Sequence, residues 1–366
     1  MILMNDFKKE YAAIKAEIDT AVSAVLESGW YILGQQTEQF EKEFAKYCGA
    51  AYCVGTGNGM QALQIALLAA GIGKGDEVIT TSLSAIETSL AISAVGATPI
   101  FADCDEYYHL DPDDVETKIT EKTKALLPVH LFGQSVDIAR FIQICQKHNL
   151  KLIEDACQAH GTLYGGKHVG TFGTAGCFSF YPTKNLGGYG DGGAIITNDE
   201  HVYRQCLLYR NAGRTAKYTH IVKGLNSRLD EMQSALLLVK LRHLDDYVQL
   251  RRERASWYRE NLQDIDDIRL PKERSLAHHS YHLFVIQTSR RDALQVYLKD
   301  NGVEALIHFP TPIPHQLAYT EYNNVKVPRT EEITRTVLSL PINPFITHEE
   351  VEKATEKIKD FFAKTI

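Results

Sequence analysis

The feature that most constrains the fold is an alternation of short apolar runs and amphipathic stretches between residues 51 and 197. The apolar runs are AYCVG, EVITT, TPIFADC, KALLPVHLF, KLIEDA, GCFSFY and GAIITND. Several are continuously apolar, which is typical of strands covered on both faces. Helical stretches such as QALQIALLAAG and IARFIQICQKHN separate the early runs. This pattern predicts an α/β fold with a mainly parallel sheet, whose ligand site lies beyond the carboxyl ends of its strands.

The segments on either side of this alternation show helical periodicity. Apolar residues at helical spacing from Tyr11 to Val25 predict a helix over about 10–28. Two apolar stripes predict one helix over 229–248, buried by more than one partner. The strand YHLFVIQT, the helix ALQVYLKDNG and a closing helix from about residue 348 then indicate a small α+β unit. We therefore expect a large domain over 1–248 and a small domain over 249–366.

Charge and composition narrow the classes of function. The formal net charge is -7, and no run of Lys and Arg indicates a nucleic-acid partner. No stretch is apolar for long enough to cross a bilayer, and the N-terminus lacks the apolar core of a signal peptide. The seven cysteines are scattered without a CxxC pair, so we expect reduced thiols and no metal site. These features predict a cytoplasmic protein that binds neither nucleic acid nor membrane.

The first candidate site segment is GTGNGMQ, which follows the run AYCVG. Its glycines, Gly55, Gly57 and Gly59, allow a sharp turn into a helix whose free N–H groups would hold an anion such as phosphate. The same glycines could equally serve tight packing. The GxGxG spacing differs from both the dinucleotide GxGxxG and the P-loop, which argues against a nicotinamide-linked oxidoreductase.

The second segment is KLIEDACQAHG, which places Asp155 at the carboxyl end of an apolar strand. A carboxylate there is poorly solvated unless a cation accompanies it. The protonated pyridine nitrogen of pyridoxal 5'-phosphate (PLP) is such a cation. The alternative is a helix N-cap or a loop carboxylate. Gln158 and His160, shortly downstream, could face the same site or cap the turn.

The third segment is GCFSFYPTKNLGGYGDGGAIITND, in which Lys184 lies between an apolar strand and five glycines. A lysine in a partly desolvated pocket has a lowered pKa and can form an imine with an aldehyde. Ser179, on the strand before it, could donate to a phosphate. Most lysines are solvated surface groups. However, an anion-binding turn, a strand-end carboxylate and a lysine in this order suit one cofactor, PLP.

Longer motifs connect these segments along nearly the whole chain. They include SGWYILGQQTEQFEKEFAKYCG, GDEVIT, GATPIFADCD, LPVHLFGQ, FSFYPTKNLGGYGDGGAI and GLNSRLDEMQSALLLVKL. With these motifs the sequence resembles the DegT/DnrJ/EryC1/StrS family of PLP-dependent sugar aminotransferases. The resemblance implies an aspartate-aminotransferase-like fold (PLP fold type I), with a mainly parallel seven-stranded sheet in the large domain.

The resemblance also assigns roles to residues. It implies that Lys184 carries PLP as a Schiff base and moves the proton, and that Asp155 pairs with the pyridine nitrogen. L-glutamate would donate the amino group, with pyridoxamine 5'-phosphate as the intermediate form of the cofactor. Because the family uses the residue matching Asn226 from a second subunit, a homodimer with shared active sites is expected. The implied cofactor contacts are Gly57, Asn58, Asp155, Gln158, Ser179, Lys184 and Asn226.

The implied acceptor is a dTDP- or UDP-linked keto-deoxysugar in amino-sugar biosynthesis, such as that of lipopolysaccharide O-antigens. The loop HFPTPIPHQLAY looks like that of members that aminate at C3, although Pro314 stands where a histidine is expected. The alternatives are amination at C4, a PLP-dependent keto-sugar dehydratase, which would have a histidine in place of Lys184, and a non-enzymatic regulatory protein of the same fold. Further candidate substrate contacts are Tyr31, Ala85, Tyr181, Arg228, His308 and His315.

Two positions depart from the family pattern in the segment TTSLSAIETSLAI. Ala85 stands where many members have an aromatic residue that stacks on the PLP ring. Glu87 is unusual in a segment of otherwise small and apolar residues. It is either a solvent-facing helix residue or a substrate contact.

Overall fold

A seven-stranded sheet lies at the centre of the molecule. The computed structural model describes residues 1–363. Their strands are β1 (Tyr52–Thr56), β2 (Glu77–Thr81), β3 (Thr98–Ala102), β4 (Thr123–Leu127), β5 (Lys151–Asp155), β6 (Leu163–Tyr164), β7 (Lys167–His168), β8 (Ala175–Ser179), β9 (Gly193–Thr197), β10 (Arg214–Ala216), β11 (Thr219–His220), β12 (Ala277–His278), β13 (Phe284–Gln287) and β14 (Val337–Leu340).

Helices cover this sheet and build the C-terminal part of the chain. They are α1 (Phe7–Ser28), α2 (Gln35–Cys48), α3 (Gly59–Ala69), α4 (Glu87–Ala94), α5 (Pro112–Thr117), α6 (Ile138–His148), α7 (Glu200–Arg210), α8 (Glu231–Leu241), α9 (Leu244–Leu262), α10 (Arg291–Asp300), α11 (Pro328–Thr336) and α12 (His348–Ala363). Short 3-10 turns occur at Leu131–Gly133, Ile313–His315 and Leu317–Tyr322.

The central sheet has the strand order β1-β9-β8-β5-β4-β2-β3. Strands β2, β3, β4, β5 and β8 pair in parallel, and β9 is antiparallel to both of its neighbours. The prediction of a mainly parallel seven-stranded sheet is therefore confirmed. Because the parallel strands run in one direction, their carboxyl ends meet at one edge, where loops and helix starts converge.

The apolar runs form strands because both faces of the sheet are covered. On one face α3 packs almost entirely buried against the strands, with Leu63, Ile65 and Leu67 at most 1 % exposed. Further apolar clusters cover the sheet on either side of its centre, around Phe141 of α6 and around Phe178 of β8. Continuous apolar strands are what burial on two faces requires.

Five of the predicted helices are confirmed, namely α1, α3, α6, α10 and α12, and one prediction is wrong. Helix α1 covers the region expected at 10–28, and α12 begins where the closing helix is expected. The helix expected over 229–248 is instead two helices, α8 and α9, which are separated at Arg242 and His243. Both of these side chains bond to Glu17 of α1. Since neither Gly nor Pro occurs at the break, the sequence carries no breaker signal there.

A second apolar core lies in the C-terminal half of the chain. It joins α9, α10 and α12 to the antiparallel pair β13–β14, and Ile2 of the N-terminal segment packs into it. Main-chain hydrogen bonds connect this half to the loop after β4, from Ser280 N to Gly133 O (2.8 Å) and from Leu283 N to Phe132 O (3.2 Å). The two halves are therefore joined directly beside the carboxyl edge of the large sheet.

Two negative findings concern the chain between residues 1 and 363. None of its helices combines the length and the apolar character that a membrane span requires. The same residues contain no cluster of three or more His, Cys, Asp or Glu side chains arranged to hold a metal ion.

Candidate active site

A cavity of about 470 Å³ opens at the carboxyl edge of the large sheet. Nine of the residues singled out from the sequence line it, and these are Asn58, Gly59, Ala85, Glu87, Asp155, Gln158, Ser179, Tyr181 and Lys184. The three sequence segments around Gly57, Asp155 and Lys184 therefore converge on one space, as the position of ligands in parallel sheets predicts.

The start of α3 forms an anion-binding end of this cavity. Asn58 caps the helix, since its Oδ1 accepts a hydrogen bond from Gln61 N (2.9 Å). The N–H groups of Gly59 and Met60, in the first turn, have no acceptor within the helix. A Cβ atom on Gly59 would lie 2.7 Å from Ser179 Cβ and 2.8 Å from Cys157 Sγ. Glycine thus lets the helix start approach the Ser179 hydroxyl closely enough for both to bind one phosphate group.

Asp155 lies at the terminus of β5 and lines the same cavity. Its side chain is buried, at 3 % exposure, and lines the cavity. Its oxygens accept hydrogen bonds from Thr88 Oγ1 (2.8 Å) and from Cys157 N (3.1 Å). Both donors are neutral, so they orient the carboxylate without neutralising it. A protonated ring nitrogen in the cavity would supply the missing positive charge.

Thr88 is a site residue that the sequence reasoning missed. It is buried at 1 % exposure on α4, and its hydroxyl also contacts Ser84 Oγ (2.9 Å). The signal was its place in the first turn of the helix that follows β2, whose carboxyl end lies at the same edge of the sheet as Asp155. Cys157, Met60 and Asp191 also line the cavity and were not singled out.

Glu154 shows that adjacent carboxylates can have different roles. It is fully buried and accepts hydrogen bonds from the backbone N–H groups of Gly170, Phe172 and Gly173 at 2.7–2.8 Å. His130 Nε2 lies 3.0 Å away, and its Nδ1 accepts from Val136 N, so Nε2 carries the proton and donates to Glu154. Glu154 therefore holds the loop over residues 170–173 in place and has no free lone pair for a ligand.

Lys184 follows β8 by a short loop and lines the same cavity. Burial lowers the pKa of its ammonium group, while the nearby Cys157, Asp155 and Glu87 act in the opposite direction. Its Nζ makes no hydrogen bond or ion pair with any residue in the described part of the chain. The next side chain, Asn185, donates from Nδ2 to Ser280 O (3.1 Å), which fixes the loop. A positioned amine of lowered pKa is suited to forming an imine with an aldehyde.

Gln158 is held by the loop after β4. Its Oε1 accepts a hydrogen bond from Phe132 N (2.9 Å), and the backbone of Phe132 has a φ of 59°. Positive φ is uncommon for a bulky residue, so the surrounding structure must enforce this turn. Because the carbonyl end of Gln158 is engaged, its NH₂ end is the part that can serve a ligand in the cavity.

His160 neither faces the cavity nor caps a turn, so both interpretations of it are wrong. Its ring is buried, 5.3 Å from the ring centroid of Phe178 and 5.7 Å from that of Phe180. Neither ring nitrogen has a hydrogen-bond partner among residues 1–363. Burial lowers its pKa to about 3, so the imidazole is neutral and serves as a packing residue.

Gly57, Tyr31, Asn226 and Arg228 lie outside the cavity lining of their own chain. Gly57 N donates to Ser227 Oγ (3.0 Å). Tyr31 and Asn226 are exposed. Arg228 bonds to Asn211 Oδ1 (3.4 Å) rather than to an acidic neighbour.

The two loop histidines differ from each other. His308 Nδ1 lies 2.7 Å from Ser339 Oγ, and burial together with the charge of Lys184 lowers its pKa to about 4. The imidazole of His308 is therefore neutral, and it lies close enough to Lys184 for the charge of that residue to affect its pKa. His315 Nε2 lies 3.0 Å from Val325 O, within its own loop. That contact serves the loop structure.

The cavity as a whole fits PLP. The start of α3 and Ser179 suit its phosphate, Asp155 suits its ring nitrogen and Lys184 suits its aldehyde, and all four are presented by one chain around one space. The fold and this donor set define the class of PLP-dependent transferases with an α/β large domain.

Comparison with known proteins gives the family. The model of the DegT/DnrJ/EryC1/StrS aminotransferase family matches residues 12–359. A relative from Aneurinibacillus thermoaerophilus, named dTDP-3-amino-3,6-dideoxy-alpha-D-galactopyranose transaminase, is 47% identical over 362 residues, with 99% of each chain covered. This chain therefore belongs to the DegT/DnrJ/EryC1/StrS aminotransferase family.

Two solved structures extend the likeness to three dimensions. The S. venezuelae protein DesV, in complex with a ketimine intermediate, has a TM-score of 0.96 and 41% identity, covering 99% of this chain and 98% of its own. NtdA from Bacillus subtilis, with bound pyridoxamine phosphate cofactor, has a TM-score of 0.90 and 32% identity, covering 95% of this chain and 82% of its own. The chain is an aminotransferase of PLP fold type I, and its cofactor is PLP.

Proposed function

We propose that this chain transfers an amino group from L-glutamate to C3 of a dTDP- or UDP-linked keto-deoxysugar. The observation that carries the proposal is the convergence of Lys184, Asp155 and the start of α3 on one cavity. The likeness along the whole chain to a named dTDP-sugar transaminase supports the class of acceptor. Because the family's dehydratases replace the lysine by histidine, Lys184 supports amine transfer over dehydration.

Different residues of the cavity would hold different parts of the cofactor. The N–H groups of Gly59 and Met60 and the hydroxyl of Ser179 would bind the phosphate, and Asp155 would keep the ring nitrogen protonated. Bound PLP supplies an electron sink for the carbon that loses its proton. Thr88 and Cys157 N keep the carboxylate of Asp155 directed into the cavity.

Lys184 would perform the proton transfer. Its amine makes no hydrogen bond with another group of residues 1–363, and burial favours its neutral form. A neutral amine can take the proton from the α-carbon of the donor and return a proton to the acceptor carbon. The fixed loop around Asn185 would hold Nζ over the reacting atoms in both half-reactions.

We propose further that the active enzyme is a homodimer with shared active sites. The diphosphate of the acceptor needs cations, yet Lys184 is the only Lys or Arg among the described residues that line the cavity. Asn226 is exposed outside the cavity of its own chain, and the neighbouring hairpin β10–β11 carries two exposed cations, Arg214 and Lys217. A second copy would bring both to the neighbouring cavity. Mixing Lys184→Ala with Asn226→Ala chains tests this, because only a mixed dimer would hold one intact site.

The domain division and the cellular setting complete the proposal. The separate apolar core of the C-terminal half supports a boundary near residue 248, within α9. All seven cysteines are free, which supports a reducing, cytoplasmic setting. We place the reaction in the biosynthesis of amino sugars such as those of lipopolysaccharide O-antigens.

Product analysis tests the function directly. The holoenzyme is incubated with L-glutamate and a panel of dTDP- and UDP-linked 3-keto and 4-keto sugars, and the products are identified by mass and NMR. We expect a 3-amino sugar and 2-oxoglutarate in equal amounts, and no product from Lys184→Ala. A 4-amino product would show that amination occurs at C4 and not at C3. Loss of a hydroxyl without gain of nitrogen would establish a dehydratase. Turnover of amino acid pairs alone would refute the sugar acceptor.

A further inference from the structure

Glu87 is a carboxylate at the cavity that cofactor binding does not use. It is the first residue of α4, and it is exposed and lines the cavity beside Ala85. Within the described part of the chain it forms no hydrogen bond and no ion pair. Its negative charge nevertheless lies close enough to Lys184 to raise the pKa of that residue.

The charges around the cavity limit what can lie against Glu87. Besides Asp155, the lining contains the carboxylates of Glu87 and Asp191, and among its described residues Lys184 is the sole cationic side chain. Two like charges a few ångströms apart repel strongly at the edge of a protein. A carboxylate of the donor or the diphosphate of the acceptor would therefore be unfavourable next to Glu87.

The remaining part of the proposed acceptor is the hexose, which carries hydroxyl donors. An exposed carboxylate without a partner is a strong acceptor for such hydroxyls. Ala85, with its small side chain, leaves space on the same wall for a sugar ring. Glu87 also suits the positive end of α4 as a first-turn acid, but that role does not require its side chain to face the cavity.

We propose that Glu87 determines specificity: it accepts a hydrogen bond from a hydroxyl of the hexose and rejects hexoses that carry a carboxylate. The inference rests on the proposed function, since it assumes a nucleotide-linked sugar in this cavity. It narrows the acceptor to neutral keto-deoxyhexoses and excludes keto-uronates.

Equilibrium binding tests this without turnover. The probes are dTDP-glucose against dTDP-glucuronate, and UDP-glucose against UDP-glucuronate, which differ within each pair only at C6 and lack a ketone. Dissociation constants are measured by calorimetry on the wild-type holoenzyme, on Glu87→Gln and on Glu349→Gln. Glu349→Gln is a matched control because it removes a first-turn acid from α12, away from the cavity.

We expect the wild type to bind the neutral sugar at least about tenfold more tightly than the uronate of the same nucleotide. Glu87→Gln should bring the two constants to within about threefold, mainly by tighter binding of the uronate, and Glu349→Gln should leave the ratio unchanged. An unchanged ratio in Glu87→Gln, with both sugars still bound, overturns the inference alone. If no nucleotide sugar binds the wild-type holoenzyme, the proposed function fails with it.

Discussion

The two ends of the active-site cavity are built differently. The inner end, formed by Asp155, Thr88, Ser179 and the start of α3, rests on strand ends, and its carboxylate is held by hydrogen bonds from neighbouring groups. The outer end, formed by Glu87, Tyr181 and Asp191, consists of exposed side chains on a helix start and a loop. A preorganised inner end serves the chemistry that the whole family shares. An exposed outer end can change without disturbing that chemistry, which supports the proposal that the acceptor is selected there.

Loss of Lys184 should have the largest effect and tests whether the inner end carries the chemistry. Lys184→Ala removes both the attachment point for the aldehyde and the base, so we expect kcat to fall by at least about 10³-fold. Transamination is measured with the accepted keto sugar. Cofactor content by dialysis is the control, because the phosphate contacts at α3 remain. Substantial turnover by the variant would assign the proton transfer to another residue.

Asp155 should come next, and its neighbour Glu154 provides a matched comparison. Asp155→Asn removes the charge that keeps the ring nitrogen protonated, so we expect kcat to fall on the order of a hundredfold with little change in melting temperature. Glu154→Gln should instead lower stability by about 2 kcal/mol, because an NH₂ group would meet backbone donors. Calorimetry and kinetics on both variants distinguish the roles. Equal loss of activity without loss of stability in Glu154→Gln would contradict this division.

Thr88 should have a smaller effect, since it acts through Asp155. Thr88→Ala removes one hydrogen bond to a carboxylate, and we expect kcat to fall about tenfold. Thr88→Ser keeps the hydroxyl and should restore most of the activity. If Thr88→Ser is as impaired as Thr88→Ala, packing of the methyl group rather than the hydrogen bond is responsible.

Tyr181 tests the outer end of the cavity. Its side chain is 53% exposed and lines the cavity. We expect Tyr181→Ala to raise KM for the keto sugar several-fold, on the order of one lost contact, while kcat stays within about twofold. A large loss of kcat with unchanged KM would place Tyr181 with the inner end instead.

The smallest expected effect is on the way in which the free energy of unfolding of the apo-protein depends on pH. Because burial lowers the pKa of Lys184, the unfolded chain holds this proton to higher pH than the folded chain. The folded state is therefore favoured above the ordinary pKa of 10.5 and loses that advantage as the pH falls through the lowered value. Lys184→Met should gain stability over the wild type at pH 7, with a smaller gain at pH 10. Urea unfolding at both values measures the difference, and a gain that does not depend on pH would contradict the lowered pKa.

The sequence predicted the large sheet and most of the inner end because both depend on local patterns. Apolar runs mark buried strands, and Lys184, Asp155 and the glycine turn follow such runs. The break between α8 and α9 could not be predicted, because no local breaker residue marks it and the side chains at the break, Arg242 and His243, contact the distant Glu17. The burial of His160 between two aromatic rings likewise depends on tertiary packing. Thr88 was missed because its partner lies 67 residues further along the chain.

Strand β5 pairs with β8 so that Glu154 lies opposite Gly176 and Asp155 opposite Cys177. Successive side chains on a strand point to opposite faces. A slip of one residue would therefore turn Asp155 away from the cavity face and turn Glu154 toward it. Glu154 and Asp155 are adjacent acids that local composition does not distinguish. The register of β5 against β8 therefore decides which of the two carboxylates faces the cavity. A one-residue insertion or deletion before Glu154 in β5 is thus expected to abolish activity even though every residue of the proposed active site stays in the sequence.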